Sequence, residues 1–127
     1  MQPTLQQQTF EIPADVTAPA RARRLCERAC RAWSLESLVV DCNLLVSELV
    51  TNAVVYGSGP IVLEIGRRDR GVRVSVTDGA RTGEVAAQDV FDDAEGGRGL
   101  AIVATVAARW GSHRDEEGTR VWFELRQ

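Results

Sequence analysis

Leu44-Leu45-Val46-Ser47-Glu48-Leu49-Val50-Thr51-Asn52-Ala53-Val54-Val55-Tyr56-Gly57 is the stretch on which the fold turns. It closes a run from Leu35 to Tyr56 that contains neither Pro nor Gly. Leu38, Cys42, Leu45, Leu49 and Ala53 recur at three- and four-residue steps, with Val39, Val46 and Val50 beside them, the pattern of a helix with one broad buried face. Gly57 ends it. Glu48 and Asn52 lie one turn apart on such a helix and project side by side. A carboxylate and an amide oxygen so placed at the edge of a core can activate a hydroxyl or water and hold a hard cation. Read by itself, the helix favours the plainer arrangement in which both face solvent.

Working outward, 127 residues suffice for one domain with a real core, and 44% hydrophobic content is that of a globular chain. The net charge of −3 gives no electrostatic case for direct binding of nucleic acid. All 15 basic residues are arginine. That excludes a phosphate-loop lysine, the strand lysine of ordinary protein kinases and any Schiff-base lysine. Cys26, Cys30 and Cys42 are odd in number and form no C-x-x-C pair, so they read as buried small hydrophobes rather than a disulfide framework or zinc site. The Gln-rich start is no signal peptide, and no apolar run stands out as membrane-spanning. A cytoplasmic protein is expected.

Residues 1–8 read as a tail. Thr9-Phe10-Glu11-Ile12 alternates as a short edge strand closed by Pro13. Asp15 or Thr17 can cap a first helix buried through Ala22, Leu25, Cys26, Ala29 and Trp33. Arg21, Arg23, Arg24, Arg28 and Arg31 make its other side basic, a solvated face or a dock for an acidic partner. Ser34 is the expected cap of the long helix. After Gly57-Ser58-Gly59-Pro60 the period becomes two: Ile61, Leu63 and Ile65, a turn at Arg67–Gly71, then Val72, Val74 and Val76. Residues 84–96 are acidic and weakly periodic, the pattern of a loop. A third helix follows, with Leu100, Ile102, Val103, Val106 and Ala107 inward. A last hairpin, Trp110–Arg114 and Arg120–Arg126, turns through Asp115–Gly118. Every strand alternates, so one sheet face is wet and the helices cover the other. The expected fold is α+β, a two-layer α/β sandwich: a mixed, mostly antiparallel sheet with three helices on one face.

Three further elements bear on chemistry. Asp78-Gly79 ends an alternating strand, where a carboxylate can accept a hydrogen bond from an exocyclic amine. Gly97-Arg98-Gly99-Leu100 opens a helix, where free N–H groups suit a phosphate. Gly118-Thr119 enters the last strand with a hydroxyl. Each of the three also reads as turn or cap chemistry.

Their order, with Ser-Glu-Leu-Val-Thr-Asn-Ala (47–53), Gly-Arg-Gly-Leu (97–100), Arg-Trp-Gly (109–111) and Val-Trp-Phe-Glu-Leu (121–125), resembles the Bergerat-fold (GHKL) ATP-binding domain of gyrase and histidine kinases. It is most similar to the small stand-alone anti-sigma-factor serine/threonine kinases and their actinobacterial relatives. The resemblance implies a single ATP-binding domain over 9–127 and ATP with Mg²⁺ as the bound groups. It implies that Asn52 holds the metal and that Glu48 is the general base. Asp78, with Gly79 and Thr119, would read adenine; Gly97, Arg98, Gly99 and Leu100 would lie at the phosphates; and 84–96 would be a lid. The implied partners are a sigma factor and a STAS-domain antagonist, with homodimerisation common in the subgroup. The family's Asp-x-Gly-x-Gly is altered here, with Ala80 and Thr82 at its two glycine positions. An inert module acting by protein contact alone is therefore the alternative to a kinase. A detached histidine-kinase catalytic domain ranks below both.

Overall fold

The computed structural model describes residues 6–79 and 100–127. In chain order it has β1 (Gln7–Ile12), α1 (Ala18–Ala32), a 3-10 turn (Glu36–Leu38), α2 (Val39–Tyr56), β2 (Ser58–Arg68), β3 (Gly71–Gly79), α3 (Leu100–Val106), β4 (Arg109–Asp115) and β5 (Gly118–Arg126). The strands form one sheet in the order β1-β2-β3-β5-β4. All four neighbouring pairs run antiparallel, so no parallel pair joins the described strands of the expected mixed sheet. The helices lie on one face, with α2 against β2, β3 and β5, and α1 and α3 to either side of it. This is the two-layer α/β sandwich that the alternation requires.

Alternation decides which side chains enter the core. Ile61, Leu63 and Ile65 on β2, Val72, Val74 and Val76 on β3, and Val121, Phe123 and Leu125 on β5 point at the helices and are buried. Opposite them α2 buries Val39, Cys42, Leu45, Val46, Leu49, Val50 and Ala53. Each large apolar side chain fully buried here contributes about 1.5–3 kcal/mol. By length and composition alone the helix Glu36–Tyr56 reaches the threshold of a membrane span, at mean hydropathy 1.6. Its inward apolar residues pack against the sheet and α1, while Val40, Leu44 and Val55 are exposed. Cys26, Cys30 and Cys42 are free and wholly buried where α1 meets α2. Hydrogen bonding with Cys42 pushes the Cys30 thiol far above its ordinary range and hydrogen bonding with Cys26 does the same to Cys42, burial adding to both, which leaves them inert.

The structure corrects several local readings. Ser34 does not cap the long helix. It follows Trp33, the last cap residue of α1, in the left-handed region at φ 60°. The Ser34 N–H donates to the Arg31 carbonyl (3.1 Å) and the Leu35 N–H to the Cys30 carbonyl (2.7 Å), the paired bonds of a Schellman turn. Two helices packed side by side need an abrupt reversal between them, and this residue makes it. At the start of α1, Asp15 rather than a capping hydroxyl organises the turn: its Oδ1 accepts from the Thr17 N–H (2.8 Å) and hydroxyl. β1 begins at Gln7, inside the expected tail, because an edge strand with one wet face tolerates polar residues. β2 begins at Ser58, with a register shift before Val62. Ile102 is exposed, so α3 turns only Leu100 and Val103 fully inward.

Candidate functional site

The site forms where α2 runs out against the ends of β3 and β5. Asp78 and Thr119 are direct cross-strand partners, and Gly79 faces Gly118 one step further on. Both side chains lie on the helix side of the sheet and are buried, at 7% and 5% exposure. Asn52 is buried as well, also at 7%. Its carboxamide sits in the last turn and a half of α2, so only about 7 Å of helix rise separates it from Gly57. Glu48 is one turn earlier and half-buried at the border of the layer. Of two residues a turn apart, Asn52 thus lies deeper in the core than Glu48, and the solvent-facing reading of this pair fails for Asn52.

Gly57 links this helix end to Asp78. Its N–H donates to the Ala53 carbonyl (2.9 Å), closing α2, and the next residue already pairs with Gly79. The Ser58 hydroxyl lies 3.4 Å from the Gly79 carbonyl as its donor. The end of α2 is therefore stitched to the end of β3 within two residues. From sequence, Gly57 reads only as a helix stop. The signal that points further is the missing loop between a helix and the strand after it. Gly118 closes the other side: it has φ 149°, and a Cβ there would run into the Asp78 carbonyl oxygen.

Leu100 is buried at the start of α3 and serves the core, so any part it takes at a ligand is through its backbone. Gly97, Arg98, Gly99, the segment 84–96, Ala80 and Thr82 lie outside the described residues. His113 is exposed and pairs with Asp115 at 3.3 Å on the far face of the sheet, as a surface residue should. Along α1, Arg21, Arg24, Arg28 and Arg31 are exposed, with Arg31 bound to Glu27 and Arg23 donating to Ser47.

The donor set can be weighed against the groups implied by resemblance. Among the described residues no cluster of three His, Cys, Asp or Glu side chains could hold a metal ion. A zinc or calcium cage is thus absent there, whereas Mg²⁺, which keeps its waters and takes phosphate oxygens, fits a single amide ligand such as Asn52. An acceptor-only carboxylate beside a hydroxyl, both sunk at a core edge, fits a heterocycle bearing an amine.

Comparison with known proteins gives the family. No curated protein matches the chain. The family model described as the histidine kinase-like ATPase domain matches residues 12–125, a span that holds Glu48, Asn52, Asp78 and Thr119. The chain belongs to the histidine kinase-like ATPase domain family, and it is an ATP-binding, kinase-like ATPase domain.

Proposed function

We propose that the protein is a serine/threonine kinase of the anti-sigma-factor kind, which sequesters a sigma factor and phosphorylates a Ser or Thr of a STAS-type antagonist. The observation that carries this reading is the convergence of three buried polar side chains, Asn52, Asp78 and Thr119, at one end of a helix that also carries Glu48. In this scheme the Asp78 carboxylate accepts from the adenine amine, supported by the Thr119 hydroxyl. The Asn52 amide oxygen takes one position on Mg²⁺, which when bound neutralises charge on the phosphates. Glu48 accepts the proton of the incoming hydroxyl. The Gly97–Leu100 backbone would meet the phosphates. The phosphate placed on the antagonist carries nearly two charges and switches its affinity for the kinase. The exposed arginines of α1 offer an acidic partner a docking face.

A second reading, an inert module acting by protein contact, is favoured by Ala80 and Thr82 in place of the family's glycines. Calorimetric titration with a slowly hydrolysed ATP analogue, with and without Mg²⁺, separates the two. Micromolar, Mg²⁺-dependent binding (about −8 kcal/mol) that weakens at least ~100-fold in Asn52→Ala supports the kinase. Absence of binding up to millimolar nucleotide supports the module.

A further inference from the structure

Gly57 is the single residue between α2 and β2. Its backbone, at φ −95° and ψ −164°, is extended and open to any residue. The demand for glycine there is one of space. A Cβ at this position would overlap the Asp78 carboxyl carbon and stand 2.6 Å from Oδ2, with the Ala53 carbonyl oxygen at 2.7 Å. Asp78 is held from its other side too, since its carbonyl fills the space above Gly118. The carboxyl group thus occupies the volume that any side chain at 57 would claim.

We propose that Gly57 is a specificity-determining positioning residue: its bare Cα lets the Asp78 carboxylate keep the orientation that selects a purine nucleotide carrying an exocyclic amine. This rests on the nucleotide reading above and deepens it. A carboxylate only accepts hydrogen bonds, so it gains a bond from a ring amine and none from a purine without one. Discrimination of that kind survives only while the carboxylate stays in place, because a misdirected acceptor gains nothing from the amine. Gly57→Ala puts a methyl group where the carboxyl now lies. The carboxyl must rotate away, and recognition of the amine goes with it.

The test compares ATP with purine riboside 5′-triphosphate, which lacks the amine, on the full chain with Mg²⁺. Wild type is expected to prefer ATP by at least about tenfold. In Gly57→Ala, ATP affinity falls to that of the analogue, while the analogue binds as it does to wild type. A retained preference in Gly57→Ala overturns the inference and leaves the nucleotide reading standing. A wild type with no preference, or with no binding, overturns the nucleotide reading and this inference with it. Thermal melts test the contact independently. Gly57→Ala is expected to lower the melting temperature less in an Asp78→Ala background, where the overlap with the carboxyl is gone and only the Ala53 carbonyl still crowds the methyl group, than in wild type. Equal shifts in the two backgrounds overturn the inference, and where Gly57→Ala alone fails to fold, failure of the Gly57→Ala, Asp78→Ala double variant to fold while Asp78→Ala folds overturns it as well.

Discussion

Gly57 and Gly111 each make room for a neighbouring side chain, and the two neighbours have opposite characters. At Gly57 the space is taken by the carboxyl of Asp78, on the helix side of the sheet. At Gly111, on the wet side, it is taken by the indole of Trp122, three of whose atoms would stand 2.8–2.9 Å from a Cβ. Trp122 is then shut in by cations. The Arg73 guanidinium lies 3.9 Å above the ring centroid and that of Arg109 5.7 Å away. Both arginines also pair with Glu124, at 3.2 and 3.5 Å. This joins Arg109 and Gly111 of one sequence phrase to Trp122 and Glu124 of the other as one cluster across the β4–β5 pair. The outer cluster joins apolar area to charges compensated on the spot, so its contribution is to stability. The inner one holds a carboxylate at a core edge, an arrangement that gains its value from a ligand. The same residue type serves packing in one place and recognition in the other.

That contrast predicts separable effects. Glu48→Ala should leave nucleotide affinity and melting temperature close to wild type while phosphoryl transfer falls at least ~100-fold; retained transfer in a radiolabel assay would exclude Glu48 as the base. Trp122→Ala should cost about 2 kcal/mol in chemical denaturation, from lost packing and lost cation–π contact, with nucleotide affinity unchanged. A drop in affinity of the same size would show that the two faces are coupled. Glu124→Gln should cost about 1 kcal/mol, since two partly exposed arginines lose their shared counter-charge. The difference from wild type should shrink as salt rises, because both arginines reach solvent. Ser34→Gly should add about 0.5 kcal/mol by relieving a left-handed serine, and should touch neither cluster.

Much of the candidate site was legible because it depends on short-range geometry. The helical spacing of Glu48 and Asn52 is local, and so is the placement of Asp78 at the end of an alternating strand. What alternation cannot give is register, and it is register that sets Asp78 against Thr119 rather than against a neighbour two residues away. Ser34 was misread for a related reason. Serine is favoured at helix starts, and only the reversal between α1 and α2 shows that here it ends one. Ile102 fits a helical stripe but lies exposed, since α3 is short and covers only the margin of the sheet.

By itself the sequence determined what repeats along the chain: the long amphipathic helix, the alternating strands and hence a sheet with one covered face. It also ordered the motifs that mark the ATPase family, because those are read residue by residue. Tertiary structure alone decided the antiparallel order β1-β2-β3-β5-β4, the depth of Asn52 beside the half-buried Glu48, and the roles of Gly57 and Gly111 as spaces for Asp78 and Trp122. The physical reason is that periodicity reports which face of an element avoids water. Which atoms meet across that face depends on how distant segments pack, and a missing Cβ has meaning only once its neighbour is known.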